Sequence, residues 1–180
     1  MAGDVQKIQS RPVRGEGAMI FVTVGTEKFP FERLIKTIDE AKQNEIIKEE
    51  VFMQIGANFY QPAFCKFVKF LSYNQMMYYI QSARIIVSHA GIGSTLLCLH
   101  SGKVPILFPR SAAHHEHLDD HQLDFANHLK ELSKALVCFD TNDLLDKIIN
   151  YKDYINDLTI DTKRKEHHRL VAYLHNNIES

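Results

Sequence analysis

The sequence predicts a doubly wound α/β domain built on a mostly parallel sheet, and two observations carry that prediction. Short, unbroken apolar runs alternate with stretches of helical spacing along most of the chain. Most of those runs also end in glycine or small polar residues. Continuous β-branched runs suit strands that are buried on both faces of a parallel sheet.

Ile20–Val24 reads as the first strand and ends in Gly25-Thr26. Phe31, Leu34, Ile35, Ile38 and Ala41 follow at helical spacing, with Pro30 suited to a first turn. Val51–Ile55 is the second strand and again ends in a glycine, Gly56. Phe67–Leu71 is a shorter third strand, after which Ser72 or Asn74 can cap a helix carrying Met76, Met77, Tyr79 and Ile80 as a packing stripe. Arg84–Val87 comes next, followed by a glycine turn and a helix over 95–100. Val104–Phe108 is another strand, 109–119 a polar loop and Gln122–Leu132 a helix. Ala135–Phe139 is the last strand and Asn142–Tyr151 the last regular helix. The charged tail over 152–180 carries Leu170, Val171, Leu174 and Ile178 at helical spacing. Residues 1–18 lack the apolar core of a secretory signal and read as a leader or extension, leaving one domain over 19–151.

Composition narrows the function. A chain of 180 residues, 45% hydrophobic, can bury one sizeable core. With 21 basic against 22 acidic residues it has no nucleic-acid footprint. Cys65, Cys98 and Cys138 are widely spaced and odd in number, as for reduced thiols in a cytosolic protein. No apolar run is long enough to span a membrane.

Two stretches carry chemistry. The first is Arg84–Ser94 (RIIVSHAGIGS), a buried strand, a glycine turn and a helix start. Free N–H groups and the helix dipole make such a junction an anion site, and glycine permits close approach to the backbone. The alternative is a tight turn with no ligand. A dinucleotide fingerprint is excluded because its third glycine would fall at Leu96, and a P-loop because no lysine precedes Ser94. The second stretch is 109–122, PRSAAHHEHLDDHQ. Its histidines and acids invite a metal reading over His114–His121, but the spacing misses the HxHxDH hydrolase pattern by one residue, and no downstream ligand motif follows. A solvated loop and a ligand-recognition loop remain open. In a doubly wound sheet ligands bind outside the carboxyl ends of the strands, where both stretches fall.

Four stretches, VTVGT (Val22–Thr26), QIG (Gln54–Gly56), SHAGIGS (Ser88–Ser94) and EHLDDHQ (Glu116–Gln122), together resemble the C-terminal, nucleotide-sugar-binding domain of glycosyltransferase family 28. The likeness is strongest to small soluble subunits of two-chain transferases. These are the PssE-type proteins of bacterial polysaccharide synthesis and the cytosolic subunit of the eukaryotic dolichol-linked GlcNAc transferase. The resemblance implies a single Rossmann-like domain, the C-terminal half of a GT-B fold, that binds a UDP-sugar and uses no metal or other cofactor. It implies inverting transfer of the sugar to a lipid-linked saccharide acceptor. The diphosphate would lie on the backbone of Gly91, Gly93 and Ser94, faced by Gly25 and Thr26. His89 would donate to it and Arg110 would stand nearby as a cation; the alternatives are a histidine bonded to neighbouring backbone and an exposed loop arginine. Asp120, His121 and Gln122 would hold the donor sugar's hydroxyls, and Glu116 the ribose.

The sequence departs from the family at Leu97, where relatives place a ribose-binding glutamate; the PssE-type branch tends to lack it too. A GT-B enzyme needs two facing domains, so the resemblance implies a membrane-anchored partner of PssD type that supplies the acceptor site and the catalytic base. The chain would then work in the cytoplasm, at the membrane face. Competing readings are a nucleotide-binding regulatory module without transfer activity and a metal-dependent hydrolase built on the histidine loop.

Overall fold

In the computed structural model, residues 19–158 are described. The tail positions Leu170, Val171, Leu174 and Ile178 and the leader lie outside the described residues. Each apolar run becomes a strand of one sheet: β1 (Met19–Thr23), β2 (Glu50–Gln54), β3 (Lys66–Val68), β4 (Ile85–Ser88), β5 (Ile106–Leu107) and β6 (Leu136–Val137). All pairs are parallel, and the order across the sheet is β3-β2-β1-β4-β5-β6. The order reverses between β1 and β4, which is where an open α/β sheet presents its ligand crevice.

Successive residues of a strand face opposite sides, so the sheet needs two helical layers. Ile20, Val22 and Val24 of the first strand and its extension pack with Met53, Val87, Ile106 and Phe108. They lie against α1 (Glu32–Gln43), through Leu34, Ile35 and Ile38, and α5 (Thr141–Ile149), through Leu144 and Ile148. Phe21 and Ile86 point the other way, to α2 (Tyr73–Ser82) and α3 (Ile92–His100). On that same side, Leu107 and Val137 meet Phe125, Ala126 and Leu129 of α4 (His121–Glu131). The stripe on α2 is largely packing: Tyr79 stacks on Phe52 with ring centroids 4.0 Å apart. Ser72 is the N-cap of α2, in a reciprocal capping box with Gln75.

The strands at the β5 end are shorter than expected. Pro105 has no N–H to give a ladder, so regular pairing begins at Ile106, although Leu136 N–H still reaches the Pro105 carbonyl (3.0 Å). At the other end of the chain α6 (Tyr151–Asn156) crosses the expected boundary at 151. Tyr151 is buried and its hydroxyl donates to the Val104 carbonyl (2.6 Å). All three cysteines are free and buried, and burial pushes their thiols up, Cys65 and Cys98 to about 12. Among the described residues no helix is long and apolar enough to cross a membrane.

Candidate functional site

The carboxyl ends of β1 and β4 open into a cleft of about 390 Å³. Its floor is the glycine turn, which differs from the sequence reading in one respect. The helix begins at Ile92 rather than at 95, with Gly91 as N-cap, so Gly93 and Ser94 belong to its first turn. No side chain caps α3, and the first amide to bond back is that of Thr95, to the Gly91 carbonyl (3.0 Å). The amides of Ile92, Gly93 and Ser94 precede it and have no partner within the helix. A Cβ built on Gly93 would meet nothing within 4 Å, so this turn is open toward the cleft. The chain reaches the turn through Ala90, which is fully buried at φ +62°, a left-handed conformation uncommon for a residue with a Cβ. Ser94 offers its backbone rather than its hydroxyl, because its Oγ donates to the Gly91 carbonyl (3.0 Å) and lies 3.1 Å from Ser88 Oγ.

Facing the turn is the loop after β1, with Gly25 at φ +73° and Thr26 and Glu27 exposed on the cleft. Gln54 fixes this loop. Its side chain accepts from Thr23 Oγ1 (2.7 Å) and the Gly25 amide (3.1 Å) and donates to the carbonyls of Gly25 (2.8 Å) and Lys69 (2.9 Å). The sequence marked Gln54 only as part of a motif; nothing in it signals a bond across 29 residues.

His89 lies between the two loops, buried. Its Nδ1 is 3.3 Å from the Thr23 carbonyl, which can only accept, so the proton is assigned to Nδ1. Burial, reinforced by the positive charge of Arg110, pulls its pKa down to about 3. The imidazole is therefore neutral and bonded to neighbouring backbone, the reading that stands in the sequence beside donation to a diphosphate. What it does is fill space. A Cβ on Gly25 would come within 2.6 Å of the ring, and one on Gly91 within 2.2 Å of Nε2. Both positions are glycine because the imidazole occupies the room a side chain would take.

The remaining walls are His121, Gln122 and Phe125 from α4 and the apolar side chains Met76 and Leu97. Gln122 Oε1 accepts the Arg110 amide (3.2 Å), which ties α4 to the end of β5. Leu97 lines the cleft, where a glutamate would have offered a carboxylate.

Three expected site residues are not brought to the cleft. Arg110 is buried behind the β1 loop, its guanidinium donating to the carbonyls of Val24 (2.8 Å), Phe29 (2.6 Å) and Glu116 (3.3 Å). Burial lowers its pKa to about 10, with Glu116 opposing the shift. It is a brace between loops, because its guanidinium turns inward over the Phe31 ring, with Cζ 5.0 Å from the centroid. Glu116 faces a separate hollow of about 330 Å³ and receives both Arg33 Nε and Nη2 at 2.8 Å and the Ser111 amide at 3.1 Å. That leaves it committed to Arg33, a partner 83 residues away that the sequence did not suggest. Asp120 is exposed and accepts the Ala112 amide (3.0 Å), holding the loop before α4. In the same loop His117 Nδ1 lies 3.0 Å from Asp119. Among the described residues no three His, Cys, Asp or Glu side chains are placed to hold a metal ion.

Known proteins place this architecture. The solution structure of ALG13 superposes with a TM-score of 0.57 at 18% identity, covering 86% of this chain and 94% of that one. Os79 from O. sativa, solved in complex with UDP, gives 0.55 at 15% identity over 87% of this chain and 35% of its own. MurG of Acinetobacter baumannii gives 0.53 at 19% identity over 81% and 44%. The chain thus spans less than half the length of the last two proteins and nearly all of ALG13. No curated protein sequence matches it significantly. The model of the glycosyltransferase family 28 C-terminal domain matches residues 19–173, and to that family the chain belongs.

Proposed function

We propose that this chain is the donor-binding subunit of a two-chain inverting glycosyltransferase, taking a UDP-sugar and delivering the sugar to a lipid-linked saccharide held by a membrane-anchored partner of PssD type. The observation that carries the reading is the uncapped first turn of α3, open at Gly93 and opposed by the Gly25 loop. When the bond between sugar and diphosphate breaks, negative charge grows on the leaving diphosphate. Fixed N–H donors and a helix N-terminus stabilise that charge without reorganising. The amides of Ile92, Gly93 and Ser94 supply this here, with Gly25 and Thr26 completing the cradle. Gln122 and His121, which line the adjoining wall, would take the sugar's hydroxyls.

On this reading a second domain closes the cleft, and the chain supplies donor binding and leaving-group stabilisation. A base and an acceptor site belong to the partner. Holding acceptor and donor together contributes roughly 7 kcal/mol or more to barrier reduction. Calorimetric titration with UDP in excess chelator tests the donor site, and saturable binding is expected. Absence of binding, or a strict need for a metal, refutes it. Transfer by the purified chain alone onto a lipid-linked acceptor refutes the two-chain reading.

A further inference from the structure

We propose that the β3–α2 edge of the sheet docks on an anionic lipid bilayer. Three aromatic side chains project into solvent at the carboxyl-end side of this edge: Phe59 at 83% exposure, Phe70 at 56% and Tyr73 at 66%. They leave the fold close together. The Ile55 amide bonds to the Val68 carbonyl (2.9 Å) and the Gly56 amide to that of Lys69 (2.8 Å), so the chain segments after β2 and β3 end side by side. Phe59 continues the first and Phe70 the second, and Tyr73 opens α2 three residues on. Met76, one turn further along α2, lines the donor cleft, so the patch lies at the carboxyl-end side of the sheet, continuous with the cleft.

Charge identifies the occupant. No aspartate or glutamate occurs anywhere between Glu50 and Glu116, whereas Lys66, Lys69, Arg84, Lys103 and Arg110 fall in that span. Four of these are engaged elsewhere. Lys66 pairs with Glu50 (3.1 Å), Arg84 Nε with Glu49 (2.8 Å), Lys103 with the Ala83 carbonyl (2.8 Å), and Arg110 is buried. Lys69 is exposed beside Phe70, at the end of β3 away from the Lys66–Glu50 pair, in a sequence span without acids. Exposed aromatic rings with lysine, on a segment that carries no acid of its own, are the composition of segments that sit in a membrane interface and favour anionic headgroups. Protein interfaces are also rich in aromatic residues but depleted in lysine. Docking by this edge brings the mouth of the cleft next to the lipid surface.

Flotation of the purified chain with vesicles of phosphatidylcholine, alone or with phosphatidylglycerol added, tests the proposal. Binding to the anionic vesicles is expected to exceed that to the neutral ones by at least about fivefold, and to weaken in high salt. The triple variant Phe59→Ser, Phe70→Ser, Tyr73→Ser is expected to lose binding with an unchanged circular dichroism spectrum. Lys69→Glu alone, which touches no packing, is expected to reduce it at least about fivefold. The variant Leu132→Ser, Ile149→Ser removes exposed apolar side chains elsewhere and is expected to bind normally. No vesicle binding, equal binding to both compositions, or equal loss in the two multiple variants overturns the proposal. Donor binding to the free chain does not depend on this edge, so UDP titration separates its failure from failure of the donor site.

Discussion

Gly91→Ala is the sharpest test of how the cleft floor is built. The new methyl would stand 2.2 Å from His89 Nε2, 2.7 Å from Cε1 and 3.1 Å from Cδ2. The ring has little room to retreat, since it is buried, held at Nδ1 by the Thr23 carbonyl and flanked on its other side by Gly25. Either the imidazole gives up that hydrogen bond, at about 0.5–1.5 kcal/mol, or the α3 N-terminus shifts away from β4. Overpacking of this kind typically costs about 1–3 kcal/mol in all. At roughly 2–4 °C per kcal/mol for a chain of this size, the melting midpoint should fall by several degrees. UDP affinity should fall with it, because the first-turn amides move. Thermal unfolding of Gly91→Ala, alone and in a His89→Ala background, is the measurement. The steric cost should disappear once the ring is gone. A Gly91→Ala protein as stable as the parent, or an undiminished cost without His89, would refute the account of the floor.

Gly93→Val should behave in the opposite way, with near-parental stability because its Cβ meets nothing within 4 Å, yet with UDP binding abolished in a titration. Gln122→Ala should leave UDP affinity intact but weaken a UDP-sugar by about 1–3 kcal/mol, the usual cost of an unsatisfied buried polar partner; equal loss for both ligands would move the sugar elsewhere. Arg110→Met strands the carbonyls of Val24, Phe29 and Glu116 and should destabilise the fold by about 1–3 kcal/mol in urea unfolding. For pH, the His89 pKa is about 3 when folded against 6.5 in its ordinary state, so between these values the unfolded chain holds the extra proton. Its stabilising effect is complete above about pH 6.5 and declines as pH falls toward 3, with a slope of up to about 1.4 kcal/mol per unit. His89→Asn should flatten that part of the stability curve.

The sequence was most informative where the physics is local. Strand runs such as Ile20–Val24 and Ile85–Val87 announce themselves by continuous apolarity, and the start of α2 by the polar residues Ser72 and Asn74, between which the structure selects Ser72. The glycine turn was legible as an anion site for the same reason, since a strand, a glycine and a helix start are adjacent in the chain. The helix starts three residues before the apolar run over 95–100 suggests, because Gly93 and Ser94 are poorer helix formers by propensity, while packing of Ile92 against the α4 side of the sheet starts it sooner. Arg110 and Glu116 show the other limit. Both sit on the loop that follows β5, at the cleft end of the sheet, as expected. Which way a side chain turns from there is decided by partners far off in sequence, the Val24 and Phe29 carbonyls and Arg33.

That misplacement bears on how the cleft can favour an anion. Arg33, Glu116 and Arg110 together hold one more positive than negative charge, and they lie behind the wall rather than in the cleft. Under the proposed function, a guanidinium on a long flexible side chain would first have to be ordered around the diphosphate before it stabilised the leaving charge. Backbone amides held at the start of α3, with a buried cationic group behind the facing β1 loop, instead give a field fixed before the substrate arrives. The neutral imidazole of His89 then has a structural reason. A protonated ring at the centre of this floor would repel Arg110, so burial beside that cation keeps the floor uncharged and the two glycine backbones in place around it.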